Sequence, residues 1–250
     1  MVNDEKQLAA RITHNDQNTG EYQFDMEYLF PTPMYLSRVR NFGEVQEELS
    51  DAVDRIEFVR KQEWGQTHYF SNSDFNENLF ERYGLDKFAA EADFHLKQYC
   101  KHLGFEVKKY RILSWFSMFK PGNYGHIHNH GNVDISGVYY FKTSGHDGDI
   151  FFQSPCPSME SSLCYQEIGQ RWIHGPKEGK ILLFPGWLDH GITTNPTDET
   201  RISLAWNVYF DRFEEMDYRQ QVFEQNTGVD GSLTEQLPNL TPNAVDPIRL

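Results

Sequence analysis

Three of the chain's ten histidines fall within five residues, at positions 126, 128 and 130 of the stretch GHIHNHGNVDISGVYYF. Alternate residues of an extended segment point to one side, so His126, His128 and His130 would share a face. Neutral imidazole is the commonest metal-ligating side chain, and two on one strand face offer adjacent coordination positions. A polar, histidine-rich surface loop is the alternative. A second feature lies downstream in EGKILLFPGWLDHGITTNPTDETRISLAWNVYF, where an apolar run turns at Pro185-Gly186 and delivers His190 near the start of the next run. Taken alone, a histidine there is more often structural than a ligand. Eleven residues on comes Arg201, followed two later by Ser203. On a strand Arg201, Ser203, Ala205 and Asn207 line one side, and Ile202, Leu204 and Trp206 the other. A guanidinium beside a small hydroxyl, on a strand flanked by apolar positions, can grip a carboxylate through two parallel hydrogen bonds. The alternative is an arginine paired with a structural acid.

These residues need elements to position them. From Val45, apolar residues at Leu49, Ala52, Val53, Ile56 and Val59 follow the spacing of one helical face, which predicts a helix over about 44–61. Leu85 to Leu103 repeats that pattern and ends at Gly104, predicting a second helix over about 85–103. Beyond it, short β-branched and aromatic runs alternate with Gly, Pro, Asn and Asp clusters up to Phe210. That is the pattern of a sandwich or closed barrel. The expected fold is mainly β with flanking helices (α+β): a double-stranded β-helix, or cupin-like jelly roll, over about 105–210, preceded by two packing helices. Residues 1–24 read as a flexible N-terminus, 25–215 as one domain with a short helix after Asp211, and 216–250 as a polar, proline-containing arm. LFPTPMYLSRV, with two prolines, suits an edge strand or an extended lead-in.

Composition narrows the partners. The chain has 250 residues, 37 acidic and 23 basic, for a formal charge of −14. Gripping a nucleic-acid backbone requires a clustered basic surface, and no dense Lys/Arg stripe occurs. No apolar run approaches the roughly 18 residues that span a bilayer. The polar opening residues hold no secretory signal, and the three cysteines, Cys100, Cys156 and Cys164, fit no zinc spacing. A cytoplasmic protein with free thiols is expected.

HxH early in a β-barrel, a lone histidine much later, then Arg-x-Ser eleven residues on resembles the iron(II)- and 2-oxoglutarate-dependent oxygenases. More narrowly, the chain resembles a family of 2-oxoglutarate oxygenases common in phages and marine bacteria. The shared marks are LFPTP, HxH followed by SGVYYF, and GKILLFPGWLDHGITTN followed by RISLAWN, which together span Leu29 to Phe210. The resemblance implies iron(II) and 2-oxoglutarate as cofactors, with His128, His130 and His190 as metal ligands and His126 a neighbour. It implies that Arg201, helped by Ser203, binds the far carboxylate of 2-oxoglutarate, with Tyr110, Tyr139, Tyr140 and Asn207 as candidate assistants. The usual facial triad has two histidines and one carboxylate. Here His130 stands where the carboxylate would be, with Asp134 as an alternative if its loop bulges inward. The implied reaction is hydroxylation of an unactivated C–H bond of a small molecule or protein side chain, consuming molecular oxygen and yielding succinate and carbon dioxide. Two other readings remain: a three-histidine cupin-type dioxygenase that needs no 2-oxoglutarate, and a non-catalytic jelly roll in which metal only stabilises the barrel. A homodimer joined through the C-terminal arm is a further expectation.

Other features read as structural. Trp115, Phe116, Met118 and Phe119 suit core positions, as do Trp187 and Trp206. Gly145–Gly148 (GHDG) reads as a hairpin turn, and PCPSMESSLC as a loop over the barrel mouth.

Overall fold

The computed structural model describes residues 10–15, 23–28, 31–161, 163–164 and 171–211. The chain divides into two units, Met1–Phe210 and Asp211–Leu250. The expected arm at 216–250 and the short helix after Asp211 lie outside the described residues, as do 1–9 and 16–22 of the N-terminus. Within the segment read as a loose N-terminus, β1 (Ala10–Asn15) pairs antiparallel with β2 (Gln23–Tyr28), in register from Ala10 opposite Tyr28 to Asn15 opposite Gln23.

After its prolines the lead-in becomes β3 (Tyr35–Arg38) and then α1 (Phe42–Val53). Val45, Leu49 and Ala52 of α1 are fully buried at the spacing of one helical face. The helix stops at Val53, short of the expected 61. Ile56 continues the apolar spacing because it joins the same core from the following turn, whereas Phe58 and Val59 form β4 (Phe58–Val59), paired with β5 (Tyr69–Ser71). A short α2 (Leu79–Tyr83) is started by the Asn78 side chain, which accepts the Phe80 N–H. Next, α3 (Asp86–His102) buries Phe88, Ala92, Leu96 and Tyr99. Its first turn is capped from α1: the Glu48 carboxylate accepts the Lys87 and Phe88 N–H groups, each at 2.9 Å. This satisfies two orphan donors and places negative charge at the helix N-terminus.

The remaining strands are β6 (Tyr110–Phe119), β7 (Gly125–His128), β8 (Ile135–Lys142), β9 (Ile150–Phe152), β10 (Trp172–His174), β11 (Lys180–Pro185), β12 (His190–Ile192) and β13 (Arg201–Phe210). They form a seven-stranded sheet in the order β3-β11-β8-β13-β6-β5-β4 and a four-stranded sheet in the order β10-β9-β12-β7. Every pairing within them is antiparallel. The large sheet is buried on both sides. Ile202, Leu204, Trp206 and Val208 of β13 join Tyr139 and the three helices in one core. Val138 and Tyr140 of β8, with Leu182 and Phe184 of β11, meet Ile150 and Phe152 of the small sheet in another. Two antiparallel sheets face to face, with helices on the outer side of the larger, make the double-stranded β-helix. Among the described residues no helix is long and apolar enough to cross a membrane.

Trp206 anchors the helical side, with Phe80 and Phe88 edge-on to its indole. A Cβ at Gly137 would lie 2.2 Å from that ring. Overpacking at such a site typically costs about 1–3 kcal/mol. Gly137→Ala is therefore expected to lower the thermal midpoint by several degrees, read by circular dichroism, whereas Gly43→Ala, with open space around it, should change it little.

Candidate active site

The two sheets bring the histidines together. His128 ends β7 and lies directly opposite His190 in the β7–β12 ladder. His130 comes from the turn beyond β7, where its N–H donates to the Gly186 carbonyl at 2.8 Å. The Nδ1 of His128 contacts the His126 carbonyl and that of His190 the Leu188 carbonyl, both at 2.8 Å. Carbonyl oxygens only accept, so each of these nitrogens carries the hydrogen and leaves Nε2 with its lone pair. For His130 the same service comes from the Asn207 side-chain oxygen, which also accepts from the Ser136 hydroxyl at 3.0 Å. Ligand nitrogens of the three rings lie within 4.8 Å of one another. Three pre-oriented imidazoles, each held from behind, suit a divalent transition metal. Burial lowers the pKa of all three rings, that of His130 to about 4, which keeps them neutral for ligation at neutral pH.

Other sequence candidates lie elsewhere. His126 is exposed and stays outside the triad: the β7–β12 ladder shifts register between His128 and Gly125, so strict alternation does not bring His126 beside His128. Its Nε2 instead approaches Gly65, 2.9 Å from where a Cβ would stand. Asp134 does not bulge inward; its carboxylate accepts the Phe210 N–H at 2.9 Å at the end of β13. Tyr110 donates its hydroxyl to Asp93 on α3 at 2.6 Å. Tyr139 points to the helical side, its hydroxyl 3.3 Å from Gln46. Asn207 sits behind His130, at the metal end rather than the carboxylate end. Tyr140 does face inward, opposite Ser203 in the β8–β13 ladder.

Arg201 is 1% exposed and its guanidinium lies 4.2 Å from the centre of the Phe119 ring. One terminal nitrogen donates to the Gly148 carbonyl. Nε of Arg201 and the hydroxyl of Tyr140 are buried without a hydrogen-bond partner among the described residues. Both residues line one cavity with the histidine triad and Ser203. A buried cation and a hydroxyl with unspent donors, facing a cluster of ligand nitrogens, fit an anion that also reaches the metal. The expected GHDG turn holds Arg201 in place. A Cβ at Gly148 would fall 2.6 Å from the Thr193 carbonyl, and the backbone there has φ +104°, so only glycine suits. Asp147 ties the turn by accepting from the Thr143 hydroxyl and the Ser144 N–H, both at 2.6 Å.

Sequence reasoning missed His68 and misplaced two aromatics. His68, on the link between β4 and β5, is buried in the same cavity and stacks on Phe119, with centroids 4.3 Å apart and planes 8° apart. Burial, then the positive charge of Arg201, pushes its pKa down to about 3. Nothing in the local spacing of GQTHYF marks it. Phe119 and Trp115, read as core, line the cavity. Trp64, not singled out in the sequence, lines it too and sets its ring edge-on to His128 at 4.8 Å. Trp187 is half exposed and belongs to neither core.

Residues 113–207 match the family model described as "Putative 2OG-Fe(II) oxygenase", a span that contains His128, His130, His190, Arg201 and Asn207. Over this span, less than half of its length, the chain is similar to the 2OG-Fe(II) oxygenases. Iron(II) and 2-oxoglutarate are the cofactors of this family, and the donor set fits both. Solved structures share the fold at low identity. The non-heme alpha ketoglutarate dependent epimerase SnoN from nogalamycin biosynthesis is 15% identical, with a TM-score of 0.52, over 72% of this chain and 78% of its own. A Pseudomonas putida prolyl-4-hydroxylase is 14% identical, with a TM-score of 0.50, over 73% and 95%. A 2OG-Fe(II) oxygenase family oxidoreductase from Burkholderia pseudomallei is 10% identical, with a TM-score of 0.53, over 71% and 83%. No curated protein matches by sequence.

Two outcomes follow from this oxygenase site. Asn207→Leu removes the acceptor that orients His130, so iron affinity should fall about 10–100-fold, measured by anaerobic titration with a competing chelator. His68 is neutral when folded and takes a proton near pH 6.5 when unfolded. The metal-free protein should therefore lose stability as pH falls below about 6.5 toward the folded pKa of about 3. In His68→Gln the loss between pH 7 and pH 5 should shrink by up to about 2 kcal/mol, read from urea unfolding at each pH.

Proposed function

We propose that this oxygenase hydroxylates an unactivated C–H bond, with iron(II) held by Nε2 of His128, His130 and His190 and 2-oxoglutarate anchored by Arg201. The observation that carries this reading is the pair of unspent buried donors, Arg201 Nε and the Tyr140 hydroxyl, in one cavity with the three ligand nitrogens. When bound, iron and 2-oxoglutarate supply the oxidising power that breaks the C–H bond, with succinate and carbon dioxide as co-products.

The chain's own residues do the rest. Arg201 offers full charge in a site where burial strengthens its attraction for a carboxylate. Tyr140 donates from β8 and Ser203 offers its hydroxyl from β13, so one carboxylate is met from two strands. Phe119, Ile150 and Phe184 wall the cavity and exclude water from the reacting centre. Asn207 and Ser136 keep His130 in one orientation. Three neutral imidazoles leave the metal one unit more positive than a triad with a carboxylate, which strengthens its hold on a dianionic co-substrate. A cupin-type dioxygenase without 2-oxoglutarate has no use for a buried arginine 1% exposed at this depth. A purely structural metal has no use for it either.

The test is anaerobic addition of iron(II) and then 2-oxoglutarate, watching for the weak visible charge-transfer band of the chelate. The wild type should develop the band. Arg201→Ala should still bind iron but need at least about 30-fold more 2-oxoglutarate, as expected when one partner of a buried charge pair is removed. His130→Ala should lose iron and band together. Iron binding with no band at any 2-oxoglutarate concentration would overturn the assignment.

A further inference from the structure

A second cavity adjoins the first. It shares Trp64, Trp115 and His130 with the Arg201 cavity, and its remaining wall comprises Phe75, Asn76, Leu113, Asn129, Asn207 and Tyr209. A molecule lying in it touches the triad from the His130 side, away from Arg201. Resting on the oxygenase reading above, this groove is where the substrate to be oxidised would lie, and its chemistry restricts what that substrate is.

The groove favours an uncharged occupant. Among the described residues no carboxylate, lysine or arginine lines it. Two cations that lie over its lining rings are already engaged. Lys61 donates to the Ser73 carbonyl at 2.7 Å and sits 3.6 Å over the Phe75 ring, while Arg111 lies 4.5 Å over the Tyr209 ring. An anion therefore meets no side-chain counter-charge in the wall of the groove. A cation would find the face of Phe75 taken by Lys61, with which it would compete and which would repel it.

Within that limit two kinds of contact remain. Trp64 and Trp115 present aromatic surface on which C–H-rich faces can rest. Both pack edge-on to Phe75, with centroids 6.2 and 5.8 Å away, which fixes the angle between the walls. Between them stand side-chain amides and a phenol. Asn207 spends its oxygen on His130 and Ser136, leaving its NH₂ as a donor. Asn76 donates to Asp74 at 3.1 Å and keeps its carbonyl as an acceptor. Asn129 is committed at both ends, to Asp189 and to the Gly131 N–H. Amides that donate and accept beside aromatic faces match a saturated ring carrying hydroxyl groups. A peptide fits less well, because it would look for an open strand edge to pair with. Strand β13 has none, lying between β6 and β8; β6 pairs with β5 only at Ser117 and Met118, but nearer the groove its Ser114 N–H is already given to the Glu77 carbonyl.

The geometry points to a neutral, hydroxylated saturated ring of the pyranoside type as the substrate moiety, resting on Trp64 and Trp115 with its hydroxyls read by Asn76, Asn207 and Tyr209. Saturation-transfer NMR tests this on the full-length protein loaded with zinc(II) and 2-oxoglutarate. The probes are methyl glycosides of glucose, galactose, mannose, xylose and N-acetylglucosamine, beside acetylprolinamide, tetramethylammonium and benzoate. At least one glycoside should receive saturation on its ring C–H protons. That signal should fall at least fivefold in Trp64→Ala and in Asn76→Leu, an exposed loop position that leaves the core untouched, and should persist in Trp187→Ala. The inference is overturned if no glycoside is saturated, if the signal survives both groove variants, or if only the prolyl or charged probes respond. The iron and 2-oxoglutarate band, recorded on a portion of the same metal-free protein loaded anaerobically with iron(II) instead, separates the two claims. A band without glycoside transfer removes the substrate assignment alone, whereas loss of the band removes the cofactor reading and leaves the groove to be judged by the NMR.

Discussion

Burying a guanidinium without fully spending its donors is expensive, and much of this barrel is arranged around Arg201. Its charge sits in an aromatic and aliphatic wall, one nitrogen is satisfied by the Gly148 carbonyl, and Nε is left buried without a partner among the described residues. A group in that state is tolerated because something else completes it. The turn supplying the Gly148 carbonyl needs glycine at its end and a buried aspartate at its centre. The ring beneath the guanidinium, Phe119, is backed by His68, which burial holds neutral so that it adds no second charge beside the first. Stability is given up locally to create an attractive site for a dianion.

The same strand serves two masters. Alternate residues of β13 place Arg201 and Ser203 in the first cavity, Asn207 in the adjoining groove, and Ile202, Leu204, Trp206 and Val208 against the helices. A slip of one residue would exchange the two sets, so register is specified from both sides. Trp206 against Gly137 locks the outer side; Ser203 opposite Tyr140 marks the inner. The small sheet adds the metal end through the pairing of His128 with His190, and the turn after β7 brings His130 back under the control of Asn207. The co-substrate and metal ends are therefore tied to one another through β13, which carries both Arg201 and the residue that orients His130.

Much of this was legible in the residues. The helix at Asp86–His102 and the strands of the barrel follow from apolar periodicity, because those elements bury one face, or both, over a long run. Spacing marked the histidines at 126, 128 and 130 and the pair Arg201 and Ser203 as unusual types on one strand face, whereas the choice of His128, His130 and His190 as ligands came from the family resemblance. Helix α1 ended before its periodicity did, since Ile56 serves the same core from a turn. Tyr110, Tyr139, Tyr140 and Asn207 could not be ranked from sequence: each is a polar-tipped side chain on a strand, and the facing of its strand depends on partners far along the chain. Trp115 and Phe119 look like core because a cavity wall and a core ask for the same side chains. His68 carried no local signal, since its place depends on β5 pairing with β6.

The sequence by itself determined the chemistry on offer: imidazoles spaced for a metal, an arginine and a serine sharing one strand face, and the turn that carries them. These are properties of residue type and of the two-residue period, which hold wherever the strand sits. Only the tertiary structure decided which donors were left unspent. Whether a tyrosine hydroxyl reaches a helix carboxylate, as in Tyr110, or faces a cavity unpaired, as in Tyr140, depends on strand register and on the sheet opposite. So does the exclusion of His126, because the register shift in β7 breaks the alternation on which its candidacy rested, and of Asp134, because its carboxylate accepts the Phe210 N–H at the end of β13.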